Sequence, residues 1–154
     1  MNITHLIYAD RLFQDAVAAL LAQQKAHHPL PLVVNGLTGG AHDAFCVEMA
    51  RVVREEGTPT LFLASSEQEA QALCDRLCAA GVNALRYPQR ELVFYEYSAS
   101  HAAEHERLFV LSQLASGKVD AVVATPMAAG GLTLPKELLQ STSLSLALGD
   151  TVAP

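Results

Sequence analysis

The feature that most constrains the fold of this chain is a regular alternation of short, continuously apolar runs with longer segments of helical periodicity. Continuous apolar runs indicate strands buried on both faces, which are typical of parallel sheets. Parallel strands need crossover connections, and these are normally helical and right-handed. The sequence therefore predicts an α/β fold in which helices flank a mainly parallel sheet. The predicted strands are Leu30 to Val34, Thr60 to Ala64, Ala84 to Tyr87, Asp120 to Thr125 and Ser143 to Leu148.

The segments between these strands carry the start and stop signals of helices. Asp10 can cap the first helix, and Ser66 with Glu69 forms a capping box. Gly81 supplies the left-handed residue that commonly ends a helix. The predicted helices run from Asp10 to near Lys25, from Ala44 to Arg54, from Glu67 to Ala80 and from about Ala102 to Leu114.

Length and charge limit the classes of function. The 154 residues make about one domain, the formal net charge is -6, and the ten Lys and Arg residues are scattered. Because proteins that grip nucleic acid need clustered basic residues, we do not expect this chain to hold DNA itself. It shows no signal peptide and no apolar stretch near the roughly 18 residues of a membrane span. The sequence predicts a soluble, cytoplasmic protein with no membrane partner.

The cysteines give no sign of a redox or catalytic role. Cys46, Cys74 and Cys78 show no C-x-x-C spacing, and three is an odd number for a disulfide framework. All three fall inside apolar helical patterns, which predicts small core residues with inert thiols. No Ser/His/Asp order or activated Cys/His pair stands out, so the sequence predicts no catalytic residues.

The most informative local motif is a Gly-rich turn after the first predicted strand. A phosphate-binding loop reads G-x-x-x-x-G-K-[ST]: its amides cradle phosphates, its Lys reaches the terminal ones, and its hydroxyl holds magnesium. Alanine, histidine and aspartate replace the last three fixed residues of that pattern here. The span reads Gly36, Leu37, Thr38, Gly39, Gly40, Ala41, His42 and Asp43.

These replacements predict that the turn binds no nucleotide. A histidine, unlike a lysine, is mostly uncharged at pH 7, and Asp43 places a carboxylate where a polyphosphate would lie. That repulsion is about 4 kcal/mol at close range. We therefore expect no cofactor at this degenerate phosphate loop, whose glycines then only permit a tight turn. Weak anion binding at the following helix N-terminus stays open.

A second motif, His101-Ala102-Ala103-Glu104-His105, has the H-x-x-E-H spacing of inverted zinc peptidases. On a helix, this spacing places both imidazoles on one face beside the carboxylate. A peptidase also needs a third ligand downstream, and no helix with such a pattern follows. The sequence favours a solvated helix whose exposed face carries Glu104, Glu106 and Arg107, while Leu108, Val110 and Leu111 pack inward.

Five segments, taken in order over about residues 30 to 150, resemble the N-terminal UvrB-like domain of the bacterial transcription-repair coupling factor family. They resemble the excision-repair helicase UvrB more distantly, because the phosphate loop lacks its Lys and the stretch from Val93 to Ser100 leaves no room for UvrB's long hairpin. The segments are Gly36 to Ala41, Tyr87-Pro88-Gln89-Arg90-Glu91-Leu92 with Tyr95 and Ser98, Glu104-His105-Glu106-Arg107-Leu108, Val122 to Pro126, and Leu146 to Asp150.

The resemblance implies a P-loop NTPase-like fold, similar to domain 1a of UvrB and helicases. It implies an N-terminal helix over 1–29, the UvrB-like α/β domain over 30–150, and a cut edge at 151–154 leading to an absent UvrA-contacting domain. In such a parent protein an ATP-driven DNA translocase displaces stalled RNA polymerase and UvrA is recruited. ATP, magnesium, DNA and the polymerase are bound by other domains, and UvrA by the adjacent one.

For the chain itself, the resemblance implies a non-catalytic scaffold that contacts other domains of the parent protein. An exposed apolar patch is expected where those missing segments dock. Two alternatives stay open. One is a divergent nucleotide- or metal-dependent hydrolase that uses His101, Glu104 and His105, and the other is a stand-alone regulatory domain.

Overall fold

A computed structural model describes residues 7, 9–24, 30–90 and 102–142 of the chain. The predicted strand at 143–148 and the aromatic segment at 92–97 lie outside these residues. The elements, in chain order, are α1 (Arg11–Gln24), α2 (Gly40–Glu55), β1 (Thr60–Leu63), α3 (Glu67–Ala79), β2 (Ala84–Tyr87), α4 (Ala102–Ala115), β3 (Ala121–Ala124), α5 (Pro126–Ala129) and α6 (Lys136–Thr142).

The described strands form one parallel sheet in the order β1-β3-β2. Side chains alternate between the two faces of the central strand, so Val123 packs in a core with α2 and α3, while Val122 packs in a second core with α4. All four residues of β3 are buried, which explains its continuous apolar sequence. The predicted α/β fold with a parallel sheet between helices is therefore confirmed.

The predicted helix signals act as expected at both ends of α3. The Ser66 hydroxyl accepts a hydrogen bond from the Glu69 amide at 3.2 Å, and Gly81 has a φ of 83°. The Glu69 carboxylate, however, accepts from the amide and hydroxyl of Ser65 instead of returning to Ser66. Those two bonds lower the pKa of Glu69. The first hydrogen bond of the capping box therefore forms as predicted, while the second joins Glu69 to Ser65, one residue before the expected partner.

The predicted buried strand at Leu30 to Val34 is wrong in this structure. The segment forms neither strand nor helix, and Leu30 and Val33 are each 73% exposed. It lies beside Phe13 of α1 and Phe45 of α2, along a cleft of about 640 Å³. Apolar composition favours a strand, but a strand also needs a hydrogen-bonded neighbour, and this segment pairs with none of the described strands.

Candidate functional site

The Gly-rich turn has the backbone of a tight loop entering a helix. Gly36 and Gly39 have φ angles of 84° and 51°, which L side chains rarely adopt, and α2 begins at Gly40 rather than at Ala44. The amides of Ala41, His42 and Asp43 donate to carbonyls of the same turn. They are therefore occupied, whereas a phosphate cradle needs amides that point into open space.

The side chains of the turn form a cluster that the sequence did not reveal. The Asp43 carboxylate lies 3.0 Å from Nε of Arg76 on α3 and 3.5 Å from Nδ1 of His42. Arg76 therefore neutralises the charge that was expected to repel phosphate. The same ion pair also engages Arg76, the arginine that lines this cleft among the described residues and that could otherwise replace the missing lysine. Glu69 adds a second carboxylate to this open cleft, so the local charge still disfavours a polyphosphate.

A second cluster joins two of the segments that carry the family resemblance. Arg107 on α4 is 4% exposed, and its Cζ lies 4.0 Å from the centre of the Tyr87 ring. Its Nη1 donates to the carbonyl oxygens of Pro88 and Ala128 at 2.8 and 3.2 Å. One guanidinium thus connects the chain just beyond β2 with the helix that follows β3. Arg90 and Glu104 line the adjacent cavity, while Glu91 and Tyr95 lie outside the described residues.

The predicted orientation of α4 is wrong at two positions. Arg107 was expected on the exposed face and is buried, whereas Leu108 was expected in the core and is 39% exposed. Val110 is buried as predicted. Helical periodicity shows which residues share a face of α4, but not which face is buried. Arg107 is buried because its guanidinium donates to carbonyl oxygens beyond the strand ends, and the sequence pattern does not reveal those acceptors.

A third cluster, also missed by the sequence reasoning, links the carboxyl ends of the strands. Arg86 Nη1 donates to Glu67 at 3.0 Å, and its Nη2 donates to both carboxylate oxygens of Glu106 at 3.1 Å. The second oxygen of Glu67 accepts from the Thr125 hydroxyl. An arginine inside an otherwise apolar strand was the only available signal. Because each acceptor is partnered, this network serves to hold α3 and α4 against the sheet.

One of the two edge strands of the described sheet, β1, is apolar. β1 pairs with β3 along one side, and no strand among the described residues pairs with its other side. Leu61 and Leu63 are 55% and 57% exposed. An apolar groove of about 190 Å³ runs from Leu61 to Leu111 and Leu114 of α4. Edge strands usually carry charges, prolines or bulges that prevent pairing, and the four residues of β1 carry no charge.

The H-x-x-E-H motif gains no support as a metal site. Glu104 and His105 lie exposed in the first turn of α4, and His101 lies outside the described residues. Among the parts of the chain that the structure covers, no group of three His, Cys, Asp or Glu side chains is placed to hold a metal ion. The use of His101, Glu104 and His105 as ligands stays a prediction.

The three cysteines differ in burial, although the sequence predicted all of them in the core. Burial raises the pKa of Cys46 to about 11 and that of Cys74 to about 12, so neither thiol ionises at neutral pH. Cys46 Sγ lies 3.9 Å from Nε2 of His42, but its protonated state leaves no nucleophile there. Cys78 was predicted in the core and is exposed, with its thiol donating to the Ala84 carbonyl.

Comparison with known proteins adds no relative to this picture. No protein-family model, curated protein or solved structure matches the chain. Within the described ranges, no helix has both the length and the apolar character to cross a lipid bilayer.

Proposed function

We propose that this chain is the non-catalytic, UvrB-like N-terminal domain of a transcription-repair coupling factor, with a P-loop NTPase-like fold and a degenerate phosphate loop. The observation that carries the proposal is the apolar edge of β1, whose outer side pairs with no strand among the described residues and where Leu61 and Leu63 are more than half exposed. Such an edge is typical of a sheet completed by another segment. That segment belongs to the parent protein, whose other domains bind ATP, magnesium, DNA, RNA polymerase and UvrA.

Two features of the Gly-rich turn support the absence of catalysis in this proposal. The amides of Ala41, His42 and Asp43 already donate within the turn, and Arg76 is held by Asp43. A triphosphate would have to break these interactions and then meet the carboxylates of Asp43 and Glu69. It would gain no lysine in exchange.

Calorimetric titration with ATP and magnesium is expected to give no binding in the micromolar range. The matched variant carries Ala41→Gly, His42→Lys and Asp43→Thr, which restores the fixed residues of the loop and releases Arg76. If the variant binds ATP and the natural chain does not, these three residues alone account for the loss of ATP binding at the loop. Micromolar binding by the natural chain at this turn would falsify the non-catalytic assignment.

The proposed contact between β1 and a segment of the longer parent chain is tested by mutation of β1 in that longer chain. Leu61→Lys with Leu63→Lys is expected to release the segment that completes the sheet, because two charges would be buried beside it. Limited proteolysis would show faster cleavage at the boundary of this domain. Leu12→Lys, at a residue 79% exposed on α1, is the control and should leave the cleavage rate unchanged. Equal rates for all three proteins would contradict a docking role for β1.

A further inference from the structure

An open apolar cleft of about 640 Å³ lies between α1, α2 and the irregular segment 32–37. Phe13 of α1 and Phe45 of α2 line it, and their rings meet edge to face with centroids 5.4 Å apart. Leu32 and Val34 line it as well and are 40% and 42% exposed. Its volume falls in the usual range of ligand-binding clefts. A continuous apolar surface of this kind is typical of an interaction site.

The backbone beside this cleft is available for pairing. Among the described residues, no other backbone group is hydrogen-bonded to residues 32–35, and all four of these residues are exposed. Val33 is 73% exposed, well above its neighbours Leu32 and Val34. This alternation is that of an extended chain, whose successive side chains point to opposite sides. An exposed extended segment can pair with a peptide, whose main chain then supplies hydrogen bonds and whose side chains supply specificity.

The polar side chains of the cleft define the charge of such a peptide. They are the carboxylates of Asp10 and Asp15 and the amide of Asn35, and no Lys, Arg or His among the described residues lines the cleft. Both aspartates are exposed, and neither forms an ion pair with a described residue. Arg11 is next to Asp10 in sequence but does not line the cleft. Since the whole chain also carries a net charge of -6, this cleft favours a cationic partner.

We infer that this cleft binds an extended peptide of a partner protein in which apolar residues alternate with lysine or arginine. The main chain of the peptide pairs with residues 32–35, and its apolar side chains contact Phe13 and Phe45. Its cationic side chains point the other way and lie at the solvent-exposed rim, beside Asp10 and Asp15. The inference uses no residue of β1 and does not depend on the proposed function.

Chemical-shift titration of the full chain with the pentapeptide Leu-Lys-Leu-Lys-Leu, acetylated and amidated at its ends, tests the inference. Three matched peptides each change one property. Glutamates in place of the lysines reverse the charge, serines in place of the leucines remove the apolar side chains, and N-methylation removes the main-chain donors. We expect the first peptide to bind at least about tenfold more tightly than each of the others. The shifted amides should lie in α1, in residues 32–37 and in the first turn of α2.

Two variants with the same change in net charge locate the cationic side chains of the peptide. Asp15→Asn removes an exposed carboxylate from the rim, whereas Glu55→Gln removes an exposed carboxylate of α2 that does not line the cleft. Both changes are on the surface, so both variants should fold. Asp15→Asn is expected to weaken binding about two- to fivefold, as an exposed ion pair does, and Glu55→Gln to leave it unchanged.

Four results would overturn the inference. The first is the absence of shifts up to about 5 mM peptide, as expected if another part of this chain already fills the cleft. The second is equal binding of the glutamate peptide, and the third is an equal effect of Asp15→Asn and Glu55→Gln. The fourth is a shift of the same amides when the chain alone is concentrated, which would assign the cleft to a second copy.

Discussion

Replacing Arg107 with alanine is expected to lower the free energy of unfolding by about 3 kcal/mol, even though the change removes a buried charge that forms no ion pair with a described residue. The variant loses two charge-assisted hydrogen bonds, to Pro88 and Ala128, and the stacking on Tyr87. It also leaves two buried carbonyl oxygens without a donor and opens a cavity beneath α4. Relief of the charge offsets only part of this loss. Urea unfolding monitored by circular dichroism measures the difference.

Arg90→Ala is the matched control for Arg107→Ala, since Arg90 has the same side chain in an exposed position. Its unfolding free energy should stay within about 0.5 kcal/mol of the natural chain. Arg107→Lys should recover little of the loss, because an ammonium group is not a planar fork that can stack on Tyr87 while serving two carbonyls. A loss below about 1 kcal/mol for Arg107→Ala would show that Arg107 is not a structural link.

Leu77→Ala is expected to have a similar or larger effect, about 3 to 4 kcal/mol. Leu77 is fully buried in the core that joins α2, α3 and the sheet, so the deletion leaves a cavity that its neighbours cannot fill. For a domain with an unfolding free energy of 5 to 15 kcal/mol, this is a large fraction of the total. The midpoint of urea unfolding should fall while the slope of the transition stays constant.

Leu61→Ala gives the informative comparison with Leu77→Ala. Leu61 is 55% exposed at the edge strand, so the same deletion should cost less than about 1 kcal/mol in this chain. A cost comparable to that of Leu77→Ala would mean that Leu61 is already covered, and the proposed docking edge would then be wrong. The pair of variants thus separates leucines that stabilise the domain from a leucine available to another segment.

The general architecture could be predicted from the sequence because it depends on periodicity. The β3 residues Ala121 to Ala124 are continuously apolar, and the structure buries them between two helical layers. The capping signal at Ser66 was equally local and equally reliable. The run at Leu30 to Val34 failed because a strand exists only with a hydrogen-bonded neighbour, and sequence composition does not report whether one is present.

The candidate sites were much harder to predict, since each depends on residues distant in sequence. Asp43 meets Arg76 across two helices, and Arg86 meets Glu106 across β2 and α4. Arg107 is buried because carbonyl oxygens lie within its reach, and the helical pattern of α4 gave the opposite expectation. Two of the segments that carry the family resemblance meet where Arg107 stacks on Tyr87. The sequence did not predict this contact, and its structural role is apparent only from its geometry.

The uncharged edge of β1 has a consequence for how the domain would behave without the longer chain proposed above. Pairing with an identical molecule is bimolecular and grows with concentration, whereas a tethered segment meets the edge at a local concentration in the millimolar range. Under the proposed function, attachment to the longer parent chain protects this strand by competition, because the tethered segment occupies the edge before a foreign strand can. The same proposal predicts that a copy of the domain without that segment self-associates as it is concentrated, which limits how it can be stored and assayed.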